Sequence, residues 1–210
     1  MNLSLKAASA GLALVLASGI ASANMVFSNR VGDVDGFGIG ATTPNQPFFA
    51  LDVLDFGSPD LDGTDELIDE TEVNHQYTFS GNILSAKLTL FHGGWGAFGP
   101  ARLLFNGTQV ATLMLGEVGN DNITLRETFD LFQLLDLTNN PSLLTGNDVV
   151  RIVSVPGSDL GGPFDDGVLD YSLLTITTDA PGTTPVPEPT SWALVGLALA
   201  SLAASRRRSR

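Results

Sequence analysis

The chain has 210 residues, a net charge of −13 and no cysteine. This length favours one folded domain plus processing segments, and a hydrophobic content of 43% is enough for a core. The absence of cysteine excludes a disulfide framework, a thiolate zinc site and a cysteine nucleophile.

The charge is unevenly distributed along the chain. Residues 24–189 contain all 23 acidic side chains but only five cations, a net charge of −18. These cations are Arg30, Lys87, Arg102, Arg126 and Arg151. A body this acidic repels phosphate backbones, so no nucleic-acid partner is expected.

The N-terminus has the order of a secretory signal peptide. Lys6 precedes an apolar stretch over residues 7–20, and Ala21 and Ala23 supply a small-x-small site. We therefore predict a signal peptide over residues 1–23, cleaved after Ala23, with export through the Sec translocon. The apolar stretch is too short to be a good spanning helix.

Two acidic segments that contain glycine follow. The first holds Asp33 and Asp35, and the second holds Asp60, Asp62, Asp65 and Glu66. Alternate carboxylates in a glycine-hinged loop can supply the oxygen ligands that Ca²⁺ requires, although neither segment has the glutamate that closes an EF-hand. We predict a candidate calcium site, with the second segment as the better one. Acidic surface turns are the alternative interpretation.

The pattern of residues 24–179 is that of a β domain. Leu84, Ala86, Leu88 and Leu90 alternate with polar residues, which indicates a half-buried strand. Asn106-Gly107 predicts a type I′ hairpin between residues 102–105 and 108–115. Further strands are predicted over 76–79, 149–155 and 169–178, the last one central, while 129–137 is ambiguous between a strand and one helical turn. Short strands separated by turns favour an all-β fold, a β-sandwich or jelly roll.

Three segments carry a resemblance to a known architecture. Residues 129–131, 143–152 and 166–171 resemble the closing strands of galactose-binding-like jelly rolls, in which a Gly-Asn turn feeds a strand and an Asp-bearing strand completes the sheet. The resemblance implies a carbohydrate-binding architecture, although a fold does not fix a function.

No catalytic constellation is evident. His75 and His92 lack acidic residues at ligand spacing, and neither a nucleophile elbow nor a zincin motif occurs. A pair of carboxylates for glycoside hydrolysis stays an alternative, but 23 acids make some pair inevitable. Trp95, in a glycine-rich loop, either stacks on a sugar ring or plugs the end of the core.

The C-terminus has three parts in a fixed order. A polar linker over residues 180–189 ends in Pro187, Glu188 and Pro189, and residues 190–205 are uncharged. Arg206, Arg207 and Arg208 follow. A sixteen-residue helix reaches about 24 Å, short of the roughly 30 Å hydrocarbon core, and local thinning or arginine snorkelling covers the difference. The positive-inside rule keeps the arginines cytoplasmic and places the body outside.

This tail resembles the PEP-CTERM sorting signal. The resemblance implies recognition by exosortase, a membrane-embedded processing enzyme of Gram-negative bacteria that make exopolysaccharide. It also implies a transient hold at the inner membrane, a cut near Glu188, and release or transfer of the body to the cell surface or matrix. A permanent anchor that is never cut is the alternative.

These features together favour a non-enzymatic surface or exopolysaccharide-matrix protein, structural or polysaccharide-binding. A secreted polysaccharide hydrolase is the second hypothesis.

Overall fold

The computed structural model describes residues 24–57, 59, 62–67, 70–96, 99–118, 121–154 and 167–179. These lie within Asn24–Asp179, which forms one compact unit. The predicted signal peptide, linker, terminal helix and arginine cluster lie outside the described residues. Within the described ranges, no helix combines the length and apolar character needed to cross a membrane.

The described residues form ten strands and two short helices. The strands are β1 (Met25–Gly32), β2 (Pro47–Phe48), β3 (Glu70–Gln76), β4 (Ile83–Gly93), β5 (Arg102–Phe105), β6 (Thr108–Thr112), β7 (Glu117–Val118), β8 (Asp121–Asp130), β9 (Asn147–Val153) and β10 (Val168–Thr178). The helices are α1 (Ala50–Phe56) and α2 (Leu131–Leu134), with a 3₁₀ turn at Pro141–Leu143.

The strands build two antiparallel sheets. One has six strands in the order β1-β10-β4-β8-β2, with β7 also paired to β8, and the other has the order β3-β9-β5-β6. The predicted β-sandwich is therefore confirmed, and β10 is central as predicted. Along β4, Ala86, Leu88 and Leu90 point into the core between the sheets, while Phe91 belongs to a second cluster on the outer face.

The predicted hairpin is also confirmed. Phe105 pairs with Thr108, and the two residues between them have the positive φ values of a type I′ turn, 49° for Asn106 and 77° for Gly107. The Asn106 side chain adds a lateral tie, because its amide donates to Asp148 Oδ1 at 2.8 Å. The turn is thereby joined to the neighbouring strand β9.

One local prediction needs correction, and one ambiguous segment is resolved. The strand predicted over residues 76–79 is displaced, since β3 ends at Gln76. Its inward positions include Thr71 and His75, and these buried polar side chains hide the apolar alternation. The ambiguous segment divides between the end of β8 and one helical turn, α2, where the Asp130 side chain accepts from Gln133 N.

His75 ties the two sheets together. It is fully buried, its Nδ1 lies 2.6 Å from Asn29 Oδ1 on β1, and its Nε2 lies 2.8 Å from Ser172 Oγ on β10. Burial lowers the pKa of His75 to about 4, against a partial rise from the Asp148 charge. The neutral ring is therefore the form that the folded protein holds.

Acid is expected to weaken this tie. Between pH 6.5 and about 4 the unfolded chain binds a proton at His75 that the folded chain does not, so stability falls as pH falls. Over this window the loss is about 3 kcal/mol. The free energy of unfolding, measured with urea at several pH values, should fall less steeply below pH 6.5 in His75→Gln than in the wild type. Equal slopes in the two proteins would contradict the assignment.

Trp95 lies at the end of the core. It is fully buried in the main hydrophobic cluster, which leaves no ring face for a sugar and matches the alternative of a core plug. The backbone of Gly167 passes so close that a Cβ there would lie 2.0 Å from the indole. This contact requires glycine at position 167.

Gly167→Ala is expected to lower the free energy of unfolding by about 2–3 kcal/mol through overpacking against Trp95. Gly107→Ala is the control: a Cβ there meets open space, and only the positive φ costs about 1 kcal/mol. Urea denaturation measures both. Equal losses of unfolding free energy in the two variants would mean that the close contact with Trp95 does not add to the cost of the substitution.

Candidate metal centre

Four aspartates meet at one end of the six-stranded sheet. One carboxylate oxygen from each of Asp33, Asp35, Asp65 and Asp170 lies within 4.8 Å of the others. Three chain segments contribute: the loop after β1, the loop before β3, and β10. Asp65 and Asp170 are buried, while the first two are more accessible.

Asp170 reaches the cluster because of a β-bulge. Leu169 pairs with His92 and Tyr171 pairs with Phe91, so Asp170 is the extra residue between two consecutive partners on β4. A bulge re-aims the side chain of the inserted residue. The carboxylate of Asp170 consequently turns towards the loop after β1.

That loop wraps its backbone around the carboxylate. Gly36 N and Phe37 N donate to Asp170 Oδ1 at 2.7 and 3.1 Å, and Gly38 N donates to Asp35 Oδ1 at 2.7 Å. Phe37 has a φ of 63°, a strained conformation for a bulky residue.

Aromatic packing holds the strained loop in place. Phe37 is fully buried, with its ring centroid 5.1 Å from Phe48 and 5.8 Å from Phe91. Burying a phenylalanine contributes about 1.5–3 kcal/mol, enough to offset strain of about 1–3 kcal/mol. The second hydrophobic cluster, to which Phe37, Phe48 and Phe91 belong, therefore holds the loop after β1 in the conformation that the acidic site requires.

The loop before β3 positions the fourth carboxylate. Asp62 Oδ2 accepts from Gly32 N at 2.8 Å, and Asp62 Oδ1 accepts from Thr64 Oγ1 at 2.8 Å. Asp65, with a φ of 59°, donates its backbone N–H to Leu169 O at 2.8 Å. The loop is thus fastened to β1 and to β10, next to the bulge.

The electrostatics of the cluster favour a cation. Burial raises the pKa of the Asp170 carboxyl above its usual range, the N–H groups of Phe37 and Gly36 oppose the rise, and the charges of Asp35 and Asp33 add to it. Asp170 Oδ2 is buried and accepts no hydrogen bond from any described residue. Four hard oxygen donors this close can hold a metal ion.

The residues predicted to bind calcium differ in where the structure places them. Asp33 and Asp35 from the first segment join Asp65 from the second, so the two predicted segments form one cluster. Asp62 supports the loops through hydrogen bonds, and Glu66 is exposed outside the cluster. Asp60 lies outside the described residues.

Neither histidine belongs to the cluster. His75 is engaged between the sheets, and His92 Nε2 lies 2.9 Å from Glu127 Oε1. Both histidines are fully buried, and neither contributes a ligand atom to the group of four aspartates.

Comparison with known proteins identifies the tail. Residues 185–208 match the model of the PEP-CTERM protein-sorting motif. The chain carries a PEP-CTERM sorting motif. The motif implies an exported protein with an exosortase as partner. None of the curated proteins compared with the chain matches it.

The body has distant likenesses among solved structures. It is similar to the CBM36-1 domain of a multidomain xylanase from the hindgut metagenome of Trinervitermes trinervoides, with 14% identity, 72% of this chain and 96% of that one covered, and a TM-score of 0.32. It is also similar to a family 35 carbohydrate-binding module from Clostridium thermocellum, with 15% identity, 72% and 90% covered, and a TM-score of 0.30.

A third likeness is to a β-porphyranase of glycoside hydrolase family 86 from Bacteroides plebeius, with 15% identity and a TM-score of 0.34. It covers 75% of this chain but only 21% of that one. Scores this low identify neither a ligand nor an activity for this chain.

The cluster predicts a calcium-dependent stability. Calcium at about 100 times its dissociation constant stabilises the folded chain by about 2.7 kcal/mol, which raises Tm by roughly 5–10 °C. Asp170→Asn should abolish most of this rise, because it removes a buried charged ligand. Thermal unfolding with calcium and with EDTA measures both.

Glu66→Gln provides the matched control. It removes the same charge next to Asp65 but outside the cluster, so it should retain the full calcium-dependent rise. Equal loss in the two variants would show that the ion responds to overall charge rather than to these four aspartates.

Proposed function

We propose that this chain is an exported, exosortase-processed protein of the cell surface or exopolysaccharide matrix, whose β-sandwich is held together by calcium. Its role is structural or polysaccharide-binding and not catalytic. The observation that carries the proposal is the presence in one chain of the sorting motif at residues 185–208 and the cluster of four aspartates.

Calcium suits the cluster better than other metals. Its ligand oxygens lie at about 2.3–2.6 Å, so opposite ligands around one ion are up to about 5 Å apart, close to the 4.8 Å span observed. Mg²⁺ demands near-ideal octahedral geometry and keeps several waters, whereas Ca²⁺ accepts an irregular set of carboxylates and backbone carbonyls. Soft metals prefer sulfur or imidazole, which the cluster lacks.

A calcium-held fold fits an exported protein. The chain has no cysteine, so disulfides cannot brace it outside the cell. An ion that ties the loops after β1 and before β3 to β10 braces segments more than a hundred residues apart in sequence.

Two surface hollows in the described part of the chain give the hydrolase hypothesis no support. One of about 280 Å³ is lined by residues including Phe79, Phe132 and Pro141, and another of about 560 Å³ by residues including Gln76 and Asn147. No carboxylate lines either, whereas glycoside hydrolysis requires a facing pair. We therefore assign no catalytic residue.

Intact-mass analysis of membrane and extracellular fractions from the natural host tests the proposal. We expect an extracellular species that runs from Asn24 to a residue near Pro189. A species ending at Arg210 and found only in membranes would mean a permanent anchor and would overturn the processing step.

A pair of variants makes this test specific. Replacing Pro187, Glu188 and Pro189 by alanine should leave the protein in the membrane fraction, because the extended processing segment is lost. Pro181→Ala changes the linker outside the matched residues and should be released normally.

A further inference from the structure

The cations of the body are concentrated on one surface. The outer face of the six-stranded sheet carries Arg30 on β1, Lys87 on β4 and Arg126 on β8, all exposed. These are three of the five cations in residues 24–189, which contain 23 acids. We call this surface the cationic face.

Strand alternation fixes the side on which these side chains lie. Arg30 is opposite Leu173, whose side chain packs on the outer cluster, and Arg126 stands over the outer Phe91 ring at 5.6 Å. Lys87 is two strand periods from Phe91 and so shares its face. All three cations therefore project from the same side of the sheet.

One acid shares this face with the three cations. Asp130 is the one acid at the outward strand positions of β1, β10, β4 and the paired part of β8, and it is the cross-strand partner of Lys87. Its carboxylate caps α2 by accepting from Gln133 N at 3.3 Å. Neither Arg30 nor Lys87 takes part in an ion pair among the described residues.

The opposite sheet carries two cations on its outer surface. Arg151 is paired with both Glu70 and Glu72, so its charge is neutralised, whereas Arg102 takes part in no ion pair among the described residues. One unpaired cation is left there, against three on the cationic face.

Hydroxyl groups fill the space between the cations. Thr89 Oγ1 and Thr128 Oγ1 lie 2.9 Å apart, and Ser28 and Thr175 face each other on β1 and β10. Hydroxyls both donate and accept hydrogen bonds, as sugar hydroxyls require. Cations and hydroxyls on one face of a sheet match a ligand that has both carboxylates and hydroxyls.

The spacing favours a polymer over a small anion. Strands are about 4.8 Å apart and residues rise about 3.4 Å, which places the Cα atoms of Arg30 and Lys87 about 12 Å apart and those of Lys87 and Arg126 about 14 Å apart. One carboxylate cannot bridge such distances, whereas charges repeated along a chain can meet the cations in turn.

We propose that the cationic face binds a carboxylated polysaccharide through Arg30, Lys87 and Arg126, with the threonine and serine hydroxyls contacting the sugar rings. The proposal rests on the extracellular location proposed above. The strongly acidic remainder of the body does not prevent this binding, because charges interact over only about 8 Å at physiological ionic strength. The charge of the cationic face itself therefore determines whether a polyanion binds there.

Carboxymethyl-dextran and unmodified dextran make a matched pair of probes, because they share a backbone and differ only in carboxylates. The test uses the full chain in detergent micelles with calcium, carrying R206Q/R207Q/R208Q/R210Q so that the tail arginines do not bind the polyanion. Affinity electrophoresis should show retention by carboxymethyl-dextran, little by dextran, and weakening with added salt.

Two double variants with the same charge change locate the site. R30Q/K87Q should weaken retention about tenfold, whereas R102Q/R151Q, on the opposite sheet, should change it less than about threefold. Arg126 is left in place because its ring contact with Phe91 also serves packing. Thermal unfolding confirms that both variants are folded.

Three results would overturn the proposal. They are equal retention of R30Q/K87Q and its parent, equal losses in both double variants, or tighter retention by duplex DNA than by carboxymethyl-dextran. None of them would alter the masses found in host fractions, so a failed binding face and a failed export proposal are distinguishable.

Discussion

Mutual repulsion among four aspartates, each with one carboxylate oxygen within 4.8 Å of the others, is the constraint that this end of the fold must meet. Two unit charges about 4 Å apart repel by about 4 kcal/mol at the effective dielectric constant of a protein surface, and six such pairs exist among four aspartates. The chain nevertheless holds them together, through a bulge in β10, two non-glycine residues at positive φ and an aromatic cluster beneath the loop. Such an arrangement is stable when a cation replaces repulsion by attraction.

The rest of the sandwich is organised around this constraint. β10 lies between β1 and β4 in the larger sheet, pairs with both, and carries Asp170 near its start. The loops that bring the other aspartates are fastened to β1 and β10 by Asp62 and by the Asp65 N–H. An ion at this point would therefore tie the loops after β1 and before β3 to β10.

Much of the fold was accessible from sequence, because local rules determine it. A few neighbouring residues are enough to predict each of two elements. Ala86, Leu88 and Leu90 alternate as in a strand, and Asn106-Gly107 predicts a tight hairpin turn. The sequence misplaces β3 because its inward Thr71 and His75 are polar. The partners of His75, Asn29 and Ser172, lie on strands distant in sequence.

The site was only half accessible from sequence. Asp33, Asp35 and Asp65 were found because they lie in glycine-containing acidic turns. Asp170 was not found, because it lies within a strand and reaches the cluster only through a bulge, a feature of pairing with β4. The merger of two separate acidic turns into one cluster was likewise a consequence of tertiary contact.

Calcium occupancy of this cluster is the central claim, and anomalous diffraction tests it most directly. Crystals of the protein grown with calcium should show one anomalous-difference peak between the carboxylates of Asp33, Asp35, Asp65 and Asp170, absent from crystals grown with EDTA. A map with no peak among these carboxylates, or with calcium bound only elsewhere, would contradict the account.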